Sequence, residues 1–232
     1  MHPSWCAGRT GARTRSCRSP CSISTTPPLD REAACDRWAR PFCDGQGLPD
    51  DARVRLVAAD DDGMRPRDEL FAGLRSRFAV DDPVADLIDA SHREHPAAFE
   101  FPADSRDALR RLRSAGWKLA VVTNGPQCQE RKLEVARLRD EVDAVCVSAL
   151  VDSWKPDPRI FEEAARRCGV GLEGWTVGDS GPADIRGDQG VGLRTIWFHR
   201  GRTWDLGGPE TDAQVSDVPA AVRVILGEDA SG

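Results

Sequence analysis

Five polar residues in the second half of the chain have types and positions that suit phosphoryl chemistry. Thr123 and Asn124 end a short apolar segment, Lys155 follows the next apolar segment, and Asp179 and Asp184 follow a third. A hydroxyl and neighbouring backbone N–H groups hold phosphate oxygens, a lysine offsets negative charge, and carboxylates hold Mg²⁺, which prefers oxygen ligands. Each residue alone also fits a turn, a helix cap or a solvated loop. Together, in this order, they favour a phosphoryl-binding site.

Strands and helices that would position these residues alternate from residue 99 onward. A short buried strand is predicted over 118–123, with further strands over 144–148, 175–178 and 194–198. Helices are predicted over 106–115, 127–138, from 157 to the stop at Gly169, and over 219–226. This alternation predicts an α/β fold with a parallel sheet covered on both faces, in which ligands bind beyond the carboxyl ends of the strands.

Residues 30–98 have a different, helical pattern. Leu70, Phe71, Leu74 and Phe78 recur at the spacing of one helix face. This part of the chain therefore predicts a small helical unit that precedes the alternating region.

Four stretches resemble the haloacid dehalogenase-like hydrolase superfamily, whose members are mostly Mg²⁺-dependent phosphatases. The stretches, which lie within residues 99–228, are VVTNG, SWKPDPRIFEEAA, VGDSGPADIRG and GLRTIWFHRGR. The resemblance implies a Rossmann-like three-layer core over residues 99–232. It also implies that residues 30–98 form a helical cap domain inserted after the first strand.

The same resemblance assigns roles to the five polar residues. Thr123 would hydrogen-bond the phosphoryl oxygens, helped by the backbone of Asn124, and Lys155 would stabilise the nucleophile and the transferred phosphate. Asp179 would bind Mg²⁺, and Asp184 would order the metal shell. The resemblance thus implies a hydrolase that removes phosphate from a small phosphorylated metabolite, in the cytoplasm, as a monomer or a homodimer.

The family's nucleophile motif, Asp-x-Asp-x-Thr, is absent where it belongs. Its first Asp attacks phosphorus to form an aspartyl-phosphate, and its second acts as general acid and base. Asp30 follows two prolines rather than a strand, and Asp60, Asp61 and Asp62 precede a glycine as in a turn. None of these acids fits the nucleophile.

A shifted reading frame accounts for the missing motif. Residues 1–29 contain none of the chain's 38 acids. The letters CSISTT at 21–26 can be encoded TGC TCG ATC TCG ACA ACA, followed by a C-starting codon for Pro27. Read two positions later and continued into the Pro27 codon, this string gives Leu-Asp-Leu-Asp-Asn-Thr. Our hypothesis is that residues up to Pro28 are translated out of frame; a disordered tail and an organellar transit peptide are the alternatives. Gene codons incompatible with that shifted reading would exclude the hypothesis.

Composition excludes several other functions. The net charge of −6 argues against a mainly electrostatic nucleic-acid binder. No apolar run approaches the roughly 20 residues of a membrane span. The eight cysteines form no Cys-x-x-Cys pair, so a zinc site is not predicted, and a cytoplasmic protein without disulfides is expected.

Two further features are expected to have no functional role. His92 and His95 lie at i, i+3 spacing, which we interpret as the exposed end of a cap helix rather than a metal site. Lys118 and Lys132 fall on a strand start and a helix, where substitution is expected to be nearly silent.

Two rival functions stay open. Dehalogenation of a 2-haloacid uses a similar Asp nucleophile without Mg²⁺, but the pattern of Asp179 and Asp184 favours the metal-dependent branch. The other rival is a non-catalytic protein that binds a phosphorylated ligand, and the absent nucleophile favours it for this chain.

Overall fold

Six parallel strands form one sheet in the computed structural model, which describes residues 21–24, 31–63, 65–180, 184–185, 190, 192–199, 201–204 and 211–228. The strands are β1 (Cys21–Ser24), β2 (Leu119–Thr123), β3 (Ala144–Val147), β4 (Trp175–Gly178), β5 (Arg194–Phe198) and β6 (Ala213–Val215). Their order across the sheet is β3-β2-β1-β4-β5-β6. The strands β2 and β4, which carry most of the predicted site residues, therefore flank the central strand.

Helices account for most of the remaining described residues. They are α1 (Arg31–Gly45), α2 (Asp50–Asp60), α3 (Arg67–Phe78), α4 (Val84–Glu94), α5 (Ala103–Ser114), α6 (Cys128–Val135), α7 (Ser148–Val151), α8 (Pro158–Cys168) and α9 (Val218–Leu226). Short 3-10 turns cover Asp61–Gly63, His95–Ala98 and Arg139–Glu141.

The sheet is the middle layer of three, as the alternation along β2 shows. Leu119 and Val121 belong to an apolar cluster that includes residues of α5 and α9. Ala120 and Val122 belong to a second cluster, with Ile160 and other residues of α8. Because successive side chains of a strand point to opposite faces, β2 is covered on both sides. The predicted α/β fold with a three-layer core is confirmed.

Within residues 31–98, the described part of the chain contains four α-helices and two 3-10 turns joined by short loops, and it builds an apolar cluster of its own. Trp38 and Phe42 of α1 pack against Phe71 of α3, with ring centroids of both pairs about 6 Å apart. Leu56 of α2 and Leu87 of α4 complete the buried centre. This cluster holds together helices α1 to α4, which we call the cap helices, beside the sheet core.

The central strand β1 occupies a segment for which no ordered strand was expected. Cys21 lies opposite Leu119 of β2 and Trp175 of β4, so β1 pairs with both neighbours. For these four residues the disordered-tail alternative is wrong. The rest of the 1–29 segment lies outside the described residues.

Most boundaries in the core agree with the sequence prediction to within a residue. The strands β4 and β5 match their predicted ranges, and α8 begins with an Asp157 side chain that accepts from the Arg159 N–H and ends at Gly169, as expected. Helix α5 begins at Ala103 rather than at residue 106. The strand β6 was not predicted.

Two smaller observations concern the membrane and disulfide predictions. Among the described helices, none has the length and the apolar character needed to cross a membrane. Five cysteines are free thiols, namely Cys35, Cys43, Cys128, Cys146 and Cys168.

Candidate active site

The turn after β2 is fixed by hydrogen bonds to the start of α7. The Gly125 N–H donates to the Ser148 hydroxyl oxygen at 2.9 Å, and the Ser148 hydroxyl in turn donates to the Gly125 carbonyl at 3.3 Å. Gly125 has a φ of 146°, and a Cβ there would meet the Gln129 amide nitrogen at 2.5 Å. The turn therefore requires glycine, and it holds the buried Thr123 at the carboxyl end of the sheet.

Asn124 joins this turn to the loop that carries Lys155. Its side-chain N–H donates to the Lys155 carbonyl at 3.0 Å, and its side-chain oxygen accepts from the Lys155 N–H at 2.8 Å. The Asn124 side chain therefore binds the backbone of Lys155 as a second strand would. The sequence predicted a role for the Asn124 backbone and did not predict this role for its amide.

Lys155 forms a buried ion pair with Asp184. The Lys155 Nζ lies 2.6 Å from the Asp184 Oδ1, and the two side chains are only 5% and 1% exposed. The Asp184 Oδ2 accepts from the Ser180 N–H at 3.0 Å. The structure thus brings Asn124, Lys155 and Asp184 into one connected set, whereas the resemblance assigned Lys155 to the phosphate and Asp184 to the metal shell.

Gly178 makes room for the Asp184 side chain. A Cβ on Gly178 would lie 2.3 Å from the Asp184 Cβ and 2.5 Å from its Cγ. Because both of those atoms lie close to the Asp184 backbone, they cannot swing away. Glycine at the last position of β4 is therefore a condition for the Lys155–Asp184 pair.

The Asp179 carbonyl accepts hydrogen bonds from two residues to which no role was assigned from the sequence. The Trp197 indole N–H donates to it at 3.3 Å, and the Arg202 guanidinium donates to it at 2.9 Å. Asp179 itself is 8% exposed. Both donors lie in the GLRTIWFHRGR stretch, but only a fold that brings the end of β5 beside the end of β4 shows their contact.

The donor chemistry of the site fits a magnesium ion. Asp179 and Asp184 contribute carboxylate oxygens, which Mg²⁺ prefers, and this ion commonly uses one or two carboxylates and completes its shell with water and phosphate. The ion pair with Lys155 already occupies the Asp184 Oδ1. Within the described ranges, no cluster of three or more His, Cys, Asp or Glu side chains is placed to hold a metal. The assignment implied by the resemblance, with Asp179 in contact with the ion and Asp184 behind it, stays a prediction.

One expectation about the cap is wrong. His95 is not exposed at a helix end: it is 5% exposed and its ring lies 4.9 Å from that of Phe99. The nearby Lys132 lines the same pocket rather than an open helix face. The reason is that the 3-10 turn His95–Ala98 packs against α6. A helical pattern in the sequence does not show this contact.

Comparison with known proteins identifies the family of this chain. A family described as haloacid dehalogenase-like hydrolase matches residues 56–192, more than half of the chain. The chain belongs to the haloacid dehalogenase-like hydrolases. It is thus a member of a hydrolase family, and the resemblance seen in the sequence is confirmed.

Relatives and a solved structure support the family. The chain is 32% identical over 196 residues to a phosphoserine phosphatase of Thermus thermophilus, covering 84% of this chain and 68% of that protein. It is 35% identical over 115 residues to a glyceraldehyde 3-phosphate phosphatase of Pyrococcus abyssi, covering about half of each protein. A haloacid dehalogenase-like phosphatase structure from Thermococcus onnurineus aligns with a TM-score of 0.60 at 26% identity, over 91% of this chain and 99% of that one.

Proposed function

We propose that this chain is a phosphatase-type protein that binds the phosphoryl group of a small phosphorylated metabolite at the ends of β2 and β4. The observation that carries the proposal is the buried connection from Asn124 through Lys155 to Asp184. It ties the backbone of Lys155 to the residue after Thr123 and pairs the Lys155 ammonium with Asp184. A phosphate dianion needs both positive charge and hydrogen-bond donors, which Lys155 and Thr123 would supply. The names of the two relatives, both phosphatases, support it.

Each residue has a defined task in this proposal. Lys155 offsets the phosphoryl charge, and Asp184 holds the Lys155 ammonium in place. The Thr123 hydroxyl donates to a phosphoryl oxygen, and Asn124 positions both loops. Mg²⁺, held at Asp179 with Asp184 behind it, would neutralise phosphoryl oxygens and orient them for attack.

The central strand lacks the nucleophile that full turnover needs. In the described segment Cys21–Ser24 there is no carboxylate, although this strand lies between β2 and β4, where the family resemblance puts the first Asp. We infer that the shifted reading of this same segment, Leu-Asp-Leu-Asp, supplies it. The first Asp then attacks phosphorus, the second protonates the leaving oxygen, and water releases phosphate from the aspartyl-phosphate.

A paired assay tests the function. The chain as printed and a corrected chain carrying Leu-Asp-Leu-Asp-Asn-Thr at 21–26 are compared for phosphate release from p-nitrophenyl phosphate with Mg²⁺. The corrected chain is expected to turn over and the printed chain to be nearly inactive. In the corrected chain, Lys155→Met is expected to reduce kcat by about 10²-fold or more.

A matched control keeps this result specific. Lys118 pairs with Asp143 near the start of β2 and its side chain is 48% exposed, so Lys118→Met should leave kcat unchanged. Equal losses from Lys118→Met and Lys155→Met would refute the role of Lys155. Equal turnover by the printed and corrected chains would refute the shifted frame.

The absent carboxylate in β1 favours a second candidate, a non-catalytic protein that binds a phosphorylated ligand. Phosphate binding by both chains with turnover by neither would establish it. Halide release from 2-chloropropionate by the corrected chain, without Mg²⁺ dependence, would instead identify the dehalogenase alternative.

A further inference from the structure

A pocket of about 150 Å³ lies between the cap helices and α6, and we call it the cap–core pocket. Arg31, Arg67 and His95 line its cap side, and Gln129 and Lys132 line its core side. None of these five residues is among the predicted phosphoryl-site residues.

Positive charge dominates the cap–core pocket. Arg31, Arg67 and Lys132 line it together with a single acid, Asp60, and that acid is already paired with the Arg67 guanidinium. Among the described residues, no carboxylate lies within ion-pair distance of Lys132, whose Nζ instead sits 4.9 Å from the Phe99 ring centroid. Burial, followed by the nearby Arg31, lowers the pKa of Lys132 to about 8. An anion bound in the pocket would offset the repulsion between Lys132 and the two arginines.

His95 adds a hydrogen-bonding group that the protein leaves unused. Its ring lies 5.4 Å from the Trp38 ring and 4.9 Å from the Phe99 ring, and its Nε2 is buried with no hydrogen-bond partner in the described structure. Burial, followed by the charge of Lys132, lowers the pKa of His95 to about 3, so the imidazole is neutral. An unsatisfied buried nitrogen costs free energy, which a bound polar group would recover.

The cap–core pocket adjoins the phosphoryl site. Gln129, which lines the pocket, donates through its side-chain nitrogen to the Asn124 carbonyl at 3.4 Å. Pro126, one residue beyond the Gly125 turn, also lines it. A small molecule held by its phosphoryl group at Thr123 and Lys155 would therefore extend toward Lys132.

We propose that the cap–core pocket binds a carboxylate of the substrate, so that the substrate class is a small phosphorylated carboxylic acid. The carboxylate contacts Lys132 and His95 while its phosphoryl group lies at the end of β2. This inference rests on the proposed phosphoryl site and adds to it the nature of the second group that is recognised.

Two stable compounds of equal carbon number test the proposal by calorimetry on the chain as printed. The compound 3-phosphoglycerate carries the carboxylate, whereas glycerol 3-phosphate carries a hydroxymethyl group instead. The chain is expected to bind 3-phosphoglycerate about tenfold or more tightly than glycerol 3-phosphate. One charge-assisted hydrogen bond to the carboxylate accounts for a difference in affinity of this size. Lys132→Met should remove that preference and change glycerol 3-phosphate binding less than about twofold. Lys118→Met, the matched control, should change neither affinity.

The outcomes separate this proposal from the phosphoryl site. Lys155→Met should weaken both compounds by the same factor. If it does so while Lys132→Met weakens neither, the carboxylate pocket is refuted and the phosphoryl site stands. Equal wild-type affinities for the two compounds, or equal weakening of both by Lys132→Met, also refute the pocket. Failure of the wild type to bind either compound overturns both proposals. Circular dichroism of each variant confirms that it is folded.

Discussion

The buried Lys155–Asp184 pair offers the sharpest test of the site's construction, through Lys155→Met, Asp184→Asn and the double variant. At the observed separation of 2.6 Å, Coulomb's law gives about 6 kcal/mol at an effective dielectric constant of about 20. Desolvation offsets much of this attraction when both charges are present. A single substitution removes one partner of the buried ion pair, which costs about 3–5 kcal/mol. Since a domain is stable by only about 5–15 kcal/mol, each single variant should lose a large share of its stability.

The double variant measures the coupling free energy between Lys155 and Asp184. Asn at position 184 keeps an oxygen that can accept from the Ser180 N–H, so the substitution removes charge and little else. With both charges gone, the double variant should be destabilised by about 2 kcal/mol less than the sum of the two single variants.

Urea unfolding followed by tryptophan fluorescence, with a chelator present to exclude metal, measures all four proteins. The pair Lys118–Asp143, at 2.8 Å but with side chains 48% and 14% exposed, is the matched control. Its cycle of Lys118→Met and Asp143→Asn should give a coupling below about 1 kcal/mol. A Lys155–Asp184 coupling no larger than that of the control pair would show that the buried pair does not organise the site.

Two further predictions concern packing and pH. Gly178→Ala should destabilise by about 1–3 kcal/mol, because its Cβ would overlap Asp184, whereas Gly171→Ala, which meets nothing within 4 Å, should change the urea midpoint little. Because the pKa of Lys132 is lowered from 10.5 to about 8, the unfolded chain binds more protons at this site between those pH values, so its charge opposes folding at neutral pH. Lys132→Met should therefore be more stable than the wild type at pH 7, by about 1–2 kcal/mol, and this advantage should shrink as the pH approaches 10 in urea unfolding. A stability difference between Lys132→Met and the wild type that does not change with pH would contradict a charged Lys132 with a lowered pKa.

The sequence predicted the core strands well, since buried parallel strands are continuous apolar runs. The strand β2 reads LAVVT and all five residues are buried. The strand β6 has only three residues, of which only Val215 is buried, so no apolar run marked it. The strand β1 reads CSIS and was missed because its polar residues do not suggest a central strand. In the structure, the backbone of β1 pairs with both neighbouring strands.

The polar residues at the strand ends were also predictable, because position after a strand places them at one edge of the sheet. Their contacts were not, since the amide of Asn124 and the donors Trp197 and Arg202 act on backbone atoms of residues distant along the chain. The cap–core pocket was missed for a similar reason. The residues His95 and Lys132 lie on separate helical segments. They line one cavity only because the 3-10 turn that contains His95 packs on α6.

The amide pairing of Asn124 with Lys155 also closes a loop of the chain. It ties together the two ends of the segment that includes α6, β3 and α7. The conformational entropy of bringing those two ends together is therefore lost on folding. It does not have to be lost again when a ligand binds there.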